Sequence, residues 1–241
     1  MKKVSIAVVG KDVGVINAYN RVEEALKKAA SFKNANIDIS FVDSHLVNDS
    51  SACDLLKGYN GILVPGGFNY DGTEGMISAV KYARENDVPF FGICLGMQLT
   101  VIEFARDIAD IKEATSSEFN KDSMQKVIDR IPGLEEGKLL EGKLPCLLKA
   151  DSLIEKCYQS LDIIETFNHG YAFNNEYVDL LEEKGLILSA ISGDVKLIEA
   201  VELTNHPFFL AVQFHPELTE PDKPHPLFLG FIEAAFKNRK E

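Results

Sequence analysis

Pro89-Phe90-Phe91-Gly92-Ile93-Cys94-Leu95-Gly96 is a short apolar run bounded by a proline and a glycine. It is too short for a buried helix and reads as a strand covered on both faces, the habit of a parallel sheet. A helical pattern resumes at about Gly96 and continues to about Phe104, so the run is one half of a strand–helix unit. Working upstream, Gly75 to Arg84 reads as a helix, and Gly61 to Pro65 and Ile37 to Val42 as strands. Ala18 to Ala30 is an amphipathic helix with Val22, Ala25, Leu26 and Ala29 on one face, and Val4 to Gly10 is the first strand. Downstream, strand-like runs return at Leu186 to Ile191, Val195 to Leu203 and Phe208 to Phe214, and an apolar helix follows from about Pro226 to Phe236. Strands alternating with crossover helices predict an α/β fold, a three-layer sandwich around a central, mostly parallel β-sheet.

Between Asp107 and about Lys143 the pattern weakens, with mixed charge and the scattered glycines Gly133, Gly137 and Gly142. We read about 107–145 as an irregular insertion or lid in a single domain spanning 1–241, with a solvated tail from Lys237. The 241 residues suffice for one large core. Lys and Arg number 25 against 37 Asp and Glu, a net charge of −12, which argues against nucleic acid or an anionic membrane as partner. No apolar stretch reaches membrane-spanning length and the first residues turn polar too soon for a signal peptide, so a cytoplasmic location is expected. Cys53, Cys94, Cys146 and Cys157 are too few and too irregularly spaced for a disulfide framework or a metal site; neither a metal nor a cofactor is expected.

Three short stretches carry chemistry. Gly92-Ile93-Cys94-Leu95-Gly96 has the form G-x-C-x-G, which sets a nucleophile on a sharp strand-to-helix turn. There the helix N-terminus favours thiolate, and the Leu95 N–H points where an oxyanion would develop. Val212-Gln213-Phe214-His215-Pro216-Glu217 ends the last strong strand. In an extended H-P-E segment His215 and Glu217 fall on one side, so the carboxylate orients the imidazole. Alone an H-x-E is weak; beside the cysteine elbow it completes a Cys94–His215–Glu217 set. His225 is a rival in a proline-bracketed loop without a neighbouring acid, and His45, His169 and His206 lack comparable context. Val64-Pro65-Gly66-Gly67-Phe68-Asn69 follows an earlier strand, and Gly67 is the candidate second oxyanion donor.

PGGF, GICLGMQ and QFHPE, in that order and spacing, resemble the class I glutamine amidotransferases. Gly10-Lys11 followed by Ala18-Tyr19, the stretch from Gly72 to Arg106, Ser117-Glu118-Phe119, and the stretches 206–217 and 224–231 resemble the glutaminase domain of CTP synthase. The resemblance implies the flavodoxin-like fold of that family, Cys94 as nucleophile, His215 as base and Glu217 as its orienter. It implies an oxyanion hole at Gly67 and Leu95, and substrate contacts at Gly66, Phe68, Gln98, Glu118, Gly170 and Tyr171, with Gln98 and Glu118 at the glutamine amino group.

The chain departs from that pattern in two places. Where CTP synthases carry a basic segment whose arginine holds the glutamine carboxylate, this chain reads Thr166 to Asn174 with Gly170 in that position. Where they carry GTMRLG, it reads Gly137-Lys138-Leu139-Leu140-Glu141-Gly142, with leucine for arginine. Lys143 and Lys149 are candidate substitutes for the missing cation. No phosphate-cradling GxxxxGK[ST] occurs, and the chain is expected to lack a synthetase half. The leading expectation is a Cys94-dependent hydrolase releasing ammonia from glutamine or a related small amide, with specificity altered at Gly170. Two alternatives stay open: a glutaminase subunit passing ammonia to a separate synthetase partner, and a non-catalytic regulatory module. A homodimer is compatible with all three.

Overall fold

The computed structural model describes residues 3–15, 19–193, 196–219 and 223–239; Ala18, Val195, Lys240 and Glu241, which bound sequence-expected segments, lie outside them. In chain order the elements are β1 (Lys3–Gly10), α1 (Asn20–Phe32), β2 (Asn36–Asp43), α2 (Ala52–Leu56), β3 (Gly61–Val64), α3 (Thr73–Glu85), β4 (Phe90–Ile93), α4 (Leu95–Asp107), β5 (Thr115–Ser116), β6 (Lys126–Arg130), β7 (Leu140–Leu148), α5 (Leu153–Tyr158), β8 (Asp162–His169), β9 (Tyr171–Phe173), α6 (Val178–Glu183), β10 (Ile187–Ser192), β11 (Leu197–Glu202), β12 (Phe209–Val212) and α7 (Pro226–Lys237).

Among the described residues the central sheet has nine strands in the order β2-β1-β3-β4-β12-β11-β10-β7-β8. From β2 to β12 every pairing is parallel, and from β12 to β8 every pairing is antiparallel. Only β11 and β7 run against the rest, so the sheet is mostly parallel in strand direction. β3, β4 and β12 are buried at every position, as continuous apolar runs in a covered sheet must be. α2, α3, α4 and α6 pack on one face and α1, α5 and α7 on the other, giving three layers with two apolar cores.

The segment 107–145, which lacks a clear period, is more regular than its sequence suggests. It contains β5, β6 and the first half of β7, and β5 and β6 form a small second sheet with β9 that packs beside α4. Strands of two to five residues are too short to write a period of their own. The parallel half ends at the C-terminal edges of β3, β4 and β12, and the chemistry-bearing loops open there.

Candidate functional site

Cys94 joins β4 to α4 with φ 51° and ψ −102°, a backbone state that glycine adopts freely and other residues hold only under strain. The flanking glycines make this turn sterically feasible. A Cβ on Gly96 would lie 2.2 Å from the Val64 carbonyl oxygen, and one on Gly92 would lie 2.9 Å from both the Ala211 Cβ and the Gly96 oxygen. The turn is tied down by Cys94 N–H donating to the Val212 carbonyl at 2.7 Å, and by Met97 and Gln98 N–H groups donating to the Cys94 carbonyl. Its sulfur therefore sits at the start of a 13-residue helix, where unpaired N–H groups and the dipole favour an anion.

His215 follows β12, the parallel neighbour of β4. Its Nδ1 lies 2.7 Å from Glu217 Oε1, and both side chains are largely buried. The connecting segment is not extended: Pro216–Leu218 forms a 3-10 turn with the proline in its first position, where a missing N–H costs nothing. The turn, held by His215 N–H on the Thr166 carbonyl at 2.8 Å and Leu218 N–H on the His215 carbonyl at 3.1 Å, folds the carboxylate back onto the ring. Nε2, the other ring nitrogen, is buried without a hydrogen-bond partner among the described residues. Burial works against the charged ring, but the Cys94 sulfur near it and the Glu217 carboxylate bonded to Nδ1 outweigh it and raise the His215 pKa to about 10. The arrangement favours an imidazolium beside the sulfur.

Gly66 and Gly67 follow β3 at the same level. A Cβ on Gly66 would lie 3.1 Å from His215 Cε1 and 3.5 Å from the Cys94 Cβ, and one on Gly67 would lie 3.2 Å from Leu95 Cδ2. This loop thus closes directly over the sulfur and the imidazole. Two side chains brace it: Lys11 donates to the Phe68 carbonyl, and Glu118 Oε1 accepts from Asn69 N–H at 2.8 Å. One oxygen of Glu118 is thereby engaged with the loop, a role its sequence context did not suggest.

Gly170 and the 137–142 segment meet in space. A Cβ on Gly170 would lie 3.2 Å from Leu139 Cδ2 and 3.4 Å from the Lys138 carbonyl oxygen, and Leu140 pairs with His169 across β7 and β8. Leu140 packs with Leu134 against Ile131, Ala172 and Leu197, a small apolar cluster beside Gly170. Lys149 is removed from it: it lies beyond the opposite end of β7 and pairs with Glu182 at 3.7 Å. Lys143 is exposed and pairs with Thr166 in the ladder. A cation that sequence reasoning missed is Arg130, whose guanidinium lies 6.0 Å over the Tyr171 ring.

His169 and Gln213 were also missed. His169 is 1% exposed; its Nδ1 lies 2.9 Å from the Tyr171 carbonyl oxygen, and its Nε2 is buried without a partner among the described residues. Burial, offset by that hydrogen bond and reinforced by nearby His215, lowers its pKa to about 4, so the ring stays neutral. Gln98 Nε2 donates to the Tyr171 carbonyl at 3.1 Å and to Gln213 Oε1 at 3.3 Å, and Gln213 Nε2 lies 3.5 Å from Cys94 Sγ. The side chain of Gln98 is thus turned at its amide nitrogen toward protein groups.

His225 has an acid after all, supplied by β8 rather than by its own loop: its Nε2 lies 3.1 Å from Glu165 Oε1, which also accepts from Tyr158 OH at 2.6 Å. Its Nδ1 caps α7 by accepting from Leu227 N–H, so the ring is engaged on both sides. That cluster borders a cavity of about 1200 Å³ which Cys94, His215 and Glu217 do not line. Among the described residues no group of three or more His, Cys, Asp or Glu side chains could hold a metal ion, and no helix is long and apolar enough to cross a membrane.

A sequence profile of the glutamine amidotransferase class-I family matches residues 14–234. A CTP synthase of Staphylococcus aureus (strain JH9) is 44% identical over 241 residues, covering 98% of this chain and 45% of its own length. That of Staphylococcus haemolyticus (strain JCSC1435) is 42% identical over 244 residues, covering 99% and 46%. The chain therefore spans about half the length of the curated relatives it matches. Among solved structures, the glutaminase domain of Trypanosoma brucei CTPS with bound acivicin superposes with a TM-score of 0.91 at 34% identity, covering 99% of this chain and 95% of that one. A putative GMP synthase protein from Thermoplasma acidophilum, at 20% identity and a TM-score of 0.66 over 97% of this chain and 94% of that one, shares the fold.

Proposed function

The chain belongs to the class I glutamine amidotransferases and is similar to the glutaminase domain of CTP synthase; from that premise we propose that it hydrolyses glutamine or a related small primary amide through a thioester on Cys94. The observation that carries this reading is the strained backbone of Cys94 at a helix N-terminus, level with a His215 ring held at 2.7 Å by Glu217. In the acylation step the Cys94 thiolate adds to the amide carbon, and the oxygen takes up negative charge facing the N–H groups of Gly67 and Leu95. As the C–N bond breaks, the His215 imidazolium gives its proton to the leaving nitrogen and ammonia departs. Water then attacks the thioester, His215 takes a proton from it, and the thiolate is released.

The head of the substrate would lie toward Gly170 and Tyr171. An apolar Leu139, a neutral His169 and the absence of an arginine at position 170 support an amide whose head lacks a fully clamped carboxylate. Glu118 and Gln98 remain candidates for a polar or cationic head, as do Gly66 and Phe68 for the reacting end. The similarity to CTP synthases supports a second reading, in which glutamine is the substrate and the ammonia passes to a synthetase partner. In that case Arg130 would supply the missing positive charge.

Ammonia release from glutamine and from a panel of small primary amides, with Cys94→Ser as blank, tests both. Turnover of another amide with silence on glutamine supports the altered specificity. Gly170→Arg should then lower KM for glutamine by about tenfold, the size of one charge-assisted hydrogen bond. Robust glutamine turnover that rises when a synthetase is added, and falls in Arg130→Ala, supports the second reading. A Cys94→Ser protein with undiminished turnover excludes both, and a wild-type chain that turns over no amide, with or without a synthetase, leaves a regulatory module.

A further inference from the structure

The side-chain amides of Gln98 and Gln213 have a polarity that the backbone decides. The Tyr171 carbonyl oxygen can only accept, so the Gln98 atom 3.1 Å from it must be the NH2 nitrogen. That nitrogen also faces Gln213 at 3.3 Å, where it must meet an oxygen. The other end of the Gln213 amide, 3.5 Å from Cys94 Sγ, is therefore N–H. By the same rule the His169 nitrogen on the Tyr171 carbonyl carries a proton. Each amide assignment follows from its neighbour, and reversing either would set two donors or two acceptors against each other.

All of these groups are out of solvent: Gln213 is 0% exposed, Gln98 4% and Cys94 3%. A buried primary amide costs free energy unless its donors and acceptor are paired, so a glutamine at position 213 among the apolar neighbours of β12 calls for a role. A sulfur that ionises supplies one. A thiolate accepts hydrogen bonds more strongly than a thiol, and an N–H held toward it in a low-dielectric site acts in addition to the helix N-terminus. The ionisable group engaged with the sulfur is His215, backed by Glu217; Gln213 is uncharged and does not compete for the proton.

We propose that Gln213 is a further catalytic residue, whose Nε2–H donates to the Cys94 thiolate, and that Gln98, anchored on the Tyr171 carbonyl, is the positioning residue that fixes its orientation. The consequence is a chain of hydrogen bonds from the Gly170–Tyr171 loop to the nucleophile, so a shift of that loop changes how firmly the thiolate is held. This rests on Cys94 being the nucleophile of the proposed hydrolysis.

The test is the pH dependence of Cys94 alkylation by iodoacetamide in the full chain, measured for wild type, Gln213→Leu, Gln98→Leu and the double variant, with thermal melts to confirm folding. Gln213→Leu should slow alkylation about tenfold on the acidic limb, through loss of a hydrogen bond to the thiolate, and change the alkaline plateau far less. Gln98→Leu should shift the limb in the same direction by less. The double variant should match Gln213→Leu, because Gln98 acts only through it. A profile that ignores Gln213, or two shifts that add, overturns the proposal. If Gln213→Leu fails to fold, Gln98→Leu alone decides, since an unshifted limb there contradicts the positioning role. A wild-type Cys94 no faster than exposed Cys53 overturns the nucleophile assignment itself, whereas a fast Cys94 indifferent to both glutamines overturns only the network.

Discussion

Replacing Cys94 by glycine is expected to give a more stable protein than replacing it by alanine, the reverse of the ordinary order. Elsewhere glycine for alanine costs about 0.5–1 kcal/mol in unfolded-state entropy. Position 94 has φ 51° and ψ −102°, however, where a Cβ is strained by about 1–3 kcal/mol and glycine is not. Both variants lose the sulfur and the same polar contact from Gln213, so their difference isolates the Cβ. The strain exceeds the entropy by about 1 kcal/mol, which for a chain of this length corresponds to about 2–4 °C in Tm. Thermal unfolding of Cys94→Gly and Cys94→Ala in one buffer measures it directly. A Cys94→Ala protein that melts at or above Cys94→Gly would refute the reasoning, because it would mean that the elbow stores no strain for the thiol to exploit.

Three further outcomes follow, two of them at the same site. Gly96→Ala places a Cβ 2.2 Å from the Val64 carbonyl, a backbone atom that cannot swing aside, and should cost about 3 kcal/mol in urea unfolding. Gly58→Ala, with a positive φ of 92° but open space around it, should cost only about 1 kcal/mol. His215 is raised from its ordinary 6.5 to about 10 in the folded chain, so the charged ring stabilises the fold fully below pH 6.5 and loses that contribution as pH rises through about 10. Glu217→Gln should therefore be less stable than wild type by about 2 kcal/mol at pH 6, with the gap closing above pH 10; a gap that widens with pH would contradict the assignment.

How legible the fold was in the sequence depended on where each strand sits. β1, β3, β4 and β12 are covered on both faces and write continuous apolar runs, and α1 and α3 write clear stripes. β8 is an edge strand whose code is mixed: Glu165 and His169 are buried beside Ile163 and Phe167 while Ile164 is 68% exposed, so its binary pattern is blurred. The buried Glu165 is tolerated because Tyr158 and His225 both bond it, a pairing that exists only after folding. The candidate site divides in the same way. The elbow, the glycine pair and the H-x-E are each local in sequence and were readable. The Gln98–Gln213 relay joins α4, β9 and the end of β12 through a main-chain carbonyl, and a main-chain atom leaves no mark on the residue string.

The pairing of β4 with β12 joins residues about 120 positions apart, from Phe90↔Phe209 to Ile93↔Val212. Contacts of such long sequence separation are slow to form, since the intervening loop must be closed first. The elbow is anchored by a hydrogen bond from Cys94 to Val212, and the ring that faces it comes from the next turn of chain. During synthesis the thiol therefore emerges well before the strand that buries it, and until β12 docks it is an open cysteine with neither His215 beside it nor its cover. The proposed amide hydrolysis would thus report completed folding of nearly the whole chain, and the interval before docking is when oxidants have freest access to the sulfur.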